Sequence, residues 1–267
     1  MTAPALVMVG MGSTDAQVAQ IAHSLRQGLQ SMRAGLSVHC AFLEHVSPST
    51  GQVVSQLLRQ GVTEIVLVPL QLTHAIDPDE RVLAQAAKLR TIHPDLSIQV
   101  SRPIGPEVTL LTVLDQRLRT SLSVNRVLEL DGLVLSSARS GDVRGNALLA
   151  RRARQWSTHH RLPCLTAVAD GSGPSVSQAI AGLRAQGRRH IAVGSFFLTA
   201  TDLFHAQADL AERSGAVSIS EPLGSAHEVM DLILARYAFA AMDLLDVGFD
   251  DAMDEPAPVR HLSIASA

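Results

Sequence analysis

The sequence predicts an α/β protein of two homologous lobes, each a parallel four-stranded sheet flanked by helices, with a cleft between them. Three observations predict it. Short runs rich in Val, Leu and Ile alternate with segments whose apolar residues recur at helical spacing, the order that builds a mainly parallel sheet. The alternation runs through four strand–helix units and then begins again. The two halves also share sequence: shifted by 126, residues 41–73 are identical to 167–199 at ten of 33 positions, among them Pro48/Pro174, Ser49/Ser175, Gly61/Gly187 and Thr73/Thr199. Ordinary residue frequencies give about two.

The elements follow in order. Ala5–Val9 reads as a strand that runs into Gly10-Met11-Gly12-Ser13. Asp15–Arg33 carries Val18, Ile21, Ala22, Leu25 and Leu29 at helical spacing, with Asp15 near its start. Strands are expected over Ser37–Leu43, Glu64–Leu70 and Ser97–Ser101, and helices over Pro48–Gln60, Pro78–Leu89 and Glu107–Leu122. In the second half, strands are expected over Gly132–Ser136, Cys164–Ala169, His190–Phe197 and Ala216–Ser220. The helices there are Gly145–Thr158, Pro174–Gln186, Asp202–Arg213 and Ala226–Asp243. Asp15 falls on Asp142, Glu44 on Asp170, and Pro103-Ile104-Gly105 on Pro222-Leu223-Gly224. A period near 125 residues is too long for a solenoid. The expected division is an N-terminal lobe (1–125), a C-terminal lobe (126–246) and a loosely ordered acidic, Pro-containing tail (247–267).

Composition excludes several classes. A hydrophobic fraction of 46% supplies a core, while aromatics at 3% and a net charge of −3 give no platform or field for nucleic acid. Two cysteines, Cys40 and Cys164, are too few for a disulfide framework or a structural zinc site. No apolar run approaches the roughly 20 residues that span a bilayer, and residues 1–13 lack the basic start of a signal peptide. The expectation is a cytoplasmic protein that binds neither membrane nor nucleic acid. Gly10-Met11-Gly12 is not a dinucleotide fingerprint, because the third glycine would fall on Asp15, and neither a phosphate-loop Gly-Lys-Ser/Thr nor a Gly-x-Ser-x-Gly elbow occurs.

Ligands of an open parallel sheet bind outside the carboxyl ends of its strands. That rule selects Gly10–Ser13, Glu44-His45 and Gln71–Asp77 in the first lobe, and Ser137-Ala138-Arg139, Asp170 and Thr199–His205 in the second. The candidates are His74, Asp77, Glu44 and Met11, with His205 and Asp170 opposite. Imidazole with carboxylates suits a borderline divalent metal such as cobalt, nickel or ferrous iron. Each candidate has a plainer reading. Met11 fills space, His74 is a solvated loop residue, Asp77 caps a helix, and Glu44 is a surface acid. His205 is a helix-surface residue, and His159-His160 is a solvated helix end.

The chain resembles the class II chelatases, which insert cobalt or ferrous iron into sirohydrochlorin. The resemblance rests on Gly10-Met11-Gly12-Ser13, Ala41-Phe42-Leu43-Glu44 with Pro48-Ser49, Val68-Pro69-Leu70-Gln71-Leu72 and Pro103-Ile104-Gly105-Pro106, in order, and on the duplication. It implies His74 and Glu44 as catalytic residues and His74 with Asp77 as metal ligands. It implies Gly10, Met11, Gly12, Ser13, Gln71, Arg139 and His205 as the tetrapyrrole-binding set, with Arg81 or Arg102 as further partners for substrate carboxylates. The metal is then a substrate (Co2+ or Fe2+), no organic cofactor is expected, and two lobes in one chain take the place of a homodimer. Two departures stand out. Met11 occupies the family's first histidine position, with Ala138 as its second-lobe counterpart. Asp77 occupies the second, with His74 three residues earlier. A non-catalytic homologue that binds tetrapyrrole, metal or a partner protein is the alternative, and a sugar-phosphate or nucleotide enzyme on a similar sheet is a third.

Overall fold

The computed structural model describes residues 3–253, with side chains through residue 244. Strands and helices alternate as expected: β1 (Ala5–Gly10), α1 (Ala16–Met32), β2 (Val38–Phe42), α2 (Thr50–Arg59), β3 (Glu64–Pro69), α3 (Glu80–Ile92), β4 (Ser97–Val100) and α4 (Thr109–Val124). The second half repeats them as β5 (Gly132–Ser137), α5 (Val143–His160), β6 (Cys164–Val168), α6 (Val176–Ala185), β7 (Ile191–Phe196), α7 (Asp202–Arg213), β8 (Ser218–Ile219) and α8 (His227–Met253). The differences lie at the ends. β8 keeps two residues of the five expected, and α8 runs past Asp243 to Met253. The rest of the expected tail, 254–267, lies outside the described residues. The duplication is visible in local chemistry too. Ser49 with Gln52, and Ser175 with Gln178, each form a reciprocal capping box that opens α2 or α6.

All strands pair in parallel, in the orders β2-β1-β3-β4 and β6-β5-β7-β8. The direction of travel across each sheet reverses between its first and third strands in chain order, β1 and β3 or β5 and β7. At such a switch point neighbouring loops part and leave a crevice at the carboxyl ends.

Strand alternation decides which side chains meet which layer. Val7 and Val9 face an outer core with α2 and α3, and Val134 does the same with α6 and α7. Leu6, Met8, Leu133 and Leu135 belong instead to one core that both lobes share, filled by Leu114, Trp156, Phe196 and Ile233.

The last helix of each half crosses to the other sheet. α4 packs on β7 and β8, and α8 packs on β3 and β4. The repeated Pro-x-Gly segments carry the crossings, and Ile104 and Leu223 within them are fully buried. Each exchanged helix brings an apolar face, in α4 Leu110, Val113, Leu114 and Leu118. Burial of each such side chain contributes roughly 1.5–3 kcal/mol. Arg236 donates to the Pro103 carbonyl at 2.9 Å, Tyr237 Oη to the Pro4 carbonyl at 2.7 Å, and Ser121 Oγ to the Ile219 carbonyl at 2.6 Å. The sequence halves thus describe the duplication, while each packed unit takes its last helix from the other half.

Candidate functional site

The carboxyl ends of both sheets open into one cleft of about 400 Å³. Its walls are apolar: Val18, Ile21 and Leu25 of α1, with Phe42, Leu70, Phe196 and Phe197. Its polar groups come mainly from the first lobe, with Ser13, Glu44, His45, Gln71, His74 and Asp79. The second lobe adds Arg139, Thr199 and Asp202.

The loop after β1 is shaped by a close approach. Gly12 has φ +90°, and a Cβ there would run into the Glu44 carbonyl oxygen. Glu44 N–H donates to the Met11 carbonyl at 3.0 Å. Only glycine lets the two strand ends close on each other in this way. Met11 lies between them, lining the cleft.

Glu44 is held. Arg81 donates to its Oε1 at 2.9 Å and to Asp79 through two bonds of 2.9 Å. That guanidinium keeps the Asp79 carboxyl below its ordinary value, and Asp79 in turn raises Arg81. His45 Nε2 is 3.6 Å from the other oxygen of Glu44. Arg81 is therefore committed to two carboxylates of its own chain, not to those of a ligand. His74 is the opposite case. It lines the cleft, yet its Nδ1 is shielded from solvent with no hydrogen-bond partner. Buried polar atoms nearly always have one, so an orphan calls for a reason.

The loop that carries His74 is gripped from the other lobe. The Asp142 carboxylate accepts from the backbone N–H groups of Ala75 (3.2 Å), Ile76 (2.9 Å) and Asp77 (3.1 Å), while capping α5 through Gly145 N–H. Burial pushes this carboxyl up, but the backbone donors hold it below the usual range. Gly141 and Gly145 complete the seat, since a Cβ on either would overlap the Thr73 carbonyl oxygen.

The cleft thus gathers Gly10, Met11, Gly12, Ser13, Glu44, Gln71, His74 and Arg139 of the expected set. Four other candidates fall elsewhere. Asp77 is exposed, does not line the cleft, and contributes its backbone N–H to Asp142. The helix cap and the cleft position both belong to Asp79, because α3 starts two residues later than Pro78 suggested. His205 is also outside the lining and meets Asp15 of the first lobe at 3.2 Å. Arg102 does not line the cleft either. Asp170 is turned back onto Ser172 and Ser140. The residues the sequence reading missed are Asp79 and Asp142; His45 is reached as a strand end but given no role there. Asp142 had a signal, its alignment with Asp15, but its target loop lies 65 to 67 residues away. Burial pushes both cysteine thiols up to about 12, which removes them as nucleophiles.

Comparison with known proteins gives this geometry a context. SirB from Bacillus subtilis, solved with Fe3+, superposes with a TM-score of 0.70 at 18% identity, covering 91% of this chain and 98% of that one. SirB from the subspecies spizizenii, in complex with cobalt, gives 0.71 at 17%, covering 91% and 97%. CbiX, described as the terminal enzyme of siroheme biosynthesis in denitrifying bacteria, gives 0.58 at 14%, covering 88% and 99%. At these identities the likeness establishes the fold. Residues 5–121 match the CbiX family model. No curated protein matches the chain. The matched span ends within α4, so the family's sequence pattern covers the lobe that holds His74 and Glu44, and the chelatase fold extends over both lobes.

Proposed function

We propose that the chain inserts a divalent metal, Co2+ or Fe2+, into a tetrapyrrole of the sirohydrochlorin type, with the cleft as its active site. The observation that carries this reading is His74, an imidazole in the cleft wall whose buried Nδ1 has no protein partner. Imidazole binds borderline metals, and it accepts protons; insertion requires both, since two pyrrole N–H protons leave as the metal enters. Glu44 lines the same cleft as a carboxylate fixed by Arg81, able to take a proton or a metal edge through its second oxygen. A flat apolar macrocycle fits walls of Ile21, Leu25, Phe42 and Phe197. Arg139, exposed and without a hydrogen bond to protein among the described residues, meets its carboxylates. The two lobes in one chain supply the two walls that a pair of copies would otherwise build. Sirohaem and cobalamin synthesis are the pathways that consume such products.

A second reading has an observation of its own. Met11 and Ala138 supply no imidazole where the family carries histidine, which favours a homologue that holds tetrapyrrole or metal without insertion. Anaerobic incubation with sirohydrochlorin and cobaltous or ferrous ion, followed by absorbance, separates the two. Insertion above the protein-free rate that His74→Ala abolishes supports the enzyme. Tight binding with insertion at the control rate leaves the binding protein.

A further inference from the structure

Away from the cleft, three metal-binding side chains from different halves of the sequence come together. Asp115 sits on the exchanged helix α4, and His159 and His160 end α5. One ligand atom from each lies within 4.8 Å of the others. His160 Nε2 is 2.6 Å from Asp115 Oδ1, with both side chains mostly buried at 18% and 17% exposure. His159 is exposed and meets His160 edge-on, with ring centroids 4.8 Å apart. Half of this histidine pair is therefore not the solvated helix end that the sequence suggests.

We propose that Asp115, His159 and His160 form a site for a divalent first-row cation, zinc, cobalt or nickel, that fastens α4 to α5. Two imidazoles and a carboxylate are the ligand types these ions take, with water in the remaining position. His160 Nε2 and Asp115 Oδ1 share a hydrogen bond, and a cation takes its place while the neutral imidazole carries its proton on Nδ1. Ligands at about 2.0–2.2 Å from a tetrahedral ion stand roughly 3.4 Å apart. The Asp115–His160 pair thus opens by less than about 1 Å, and the exposed His159 swings inward. Asp115 is prepared for the role. Burial raises its carboxyl, but Arg119 and His160 outweigh that and hold it below its ordinary value, in the ligand form. Arg119 occupies Oδ2 at 2.6 Å and leaves Oδ1 to the histidine side. The site is separate from the cleft. From Gly145, at the clamp end of α5, to His160 is about 22 Å of helix.

The molecule carries its own reporter. Trp156, the single tryptophan, lies edge-on to His160 with centroids 5.8 Å apart, and its Nε1 is 3.5 Å from Asp115 Oδ1. Cobaltous ion titrated into the full chain is expected to quench Trp156 emission to saturation, at one ion per chain once His74→Ala has removed the cleft site. The quenching persists in His74→Ala, which tests the cleft separately. It disappears in His160→Ala. In His159→Ala the affinity falls by more than the roughly 10- to 100-fold that loss of an outer-shell partner costs. Zinc raises the Tm of His74→Ala by several degrees, and leaves the double variant His74→Ala/His160→Ala unmoved. Emission indifferent to cobalt in the wild type, or quenching in His159→Ala equal to wild type, overturns the site. The exposed His159 variant decides the matter if His160→Ala does not fold.

Discussion

The two lobes share one plan and divide the work. At the switch point of the first stand Met11, Glu44 and His74; the equivalent positions of the second are Ala138, Asp170 and Ala200. Asp170 is spent on its own loop, and Phe196 and Phe197 form wall where the first lobe has Leu70 and Gln71. The aspartates that begin the first helix of each lobe divide too. Asp142 reaches across to three amides of the His74 loop, whereas Asp15 reaches across to one imidazole, His205. Under the proposed function, the first lobe keeps the reactive groups while the second supplies wall and clamp. The lesson is physical: a ligand that lies between two equivalent edges needs only one of them to carry the chemistry.

If that division is right, the largest effect falls on His74. His74→Ala is expected to bring insertion down to the protein-free rate, read by absorbance, while Ala200→His leaves it unchanged. Equal losses from both lobes would end the asymmetry. Asp142 comes next. Asp142→Ala is expected to lower stability by about 1–2 kcal/mol through the lost cap. It also weakens cobalt binding in the cleft, because the His74 loop loses its seat. The sign with pH follows from the depressed carboxyl. Its contribution to stability is present above the ordinary value of 3.8 and is lost as pH falls through the lower folded value. Urea titrations from pH 6 to 3 should therefore show a smaller acid loss in Asp142→Asn than in the wild type.

Two further substitutions sharpen the picture. Met11→His places an imidazole beside the glycine-shaped loop and is expected to tighten cobalt binding roughly 10-fold by calorimetry. Unchanged affinity would mean that Met11 does not face the bound ion. Arg139→Ala is expected to raise KM for the macrocycle several-fold with kcat nearly constant, the signature of uniform binding. The smallest effect belongs to His205→Ala. The pair with Asp15 has half its imidazole exposed, so a loss within about 1 kcal/mol and no change in metal binding are expected from thermal melts.

Much of the fold was legible because it is written in local patterns. Val7 and Val9 against Leu6 and Met8 announce a two-faced strand, and Ser49 with Gln52 announces a helix start that Ser175 with Gln178 repeats. The candidate site was legible only in outline. The strand-end rule reached Gly10 to Ser13, Glu44, Gln71, His74 and Arg139. Asp77 was misread because two aspartates flank Pro78, and only the helix start decides which one caps. Arg81 looked free because its two partners, Glu44 and Asp79, come from different segments.

By itself, the sequence determined the alternation of strands and helices, the duplication, the parallel sheets and the edge at which the cleft opens. Each of these follows from spacing within one segment or from identity between two. Tertiary structure decided which helix covers which sheet, which carboxylates are already paired, that His74 keeps a buried nitrogen without a partner, and that Asp142 and Asp115 act across the two halves. Those outcomes depend on contacts between residues tens to hundreds of positions apart. No local periodicity encodes them, because hydrogen-bond partners and burial are fixed only when the shared core closes.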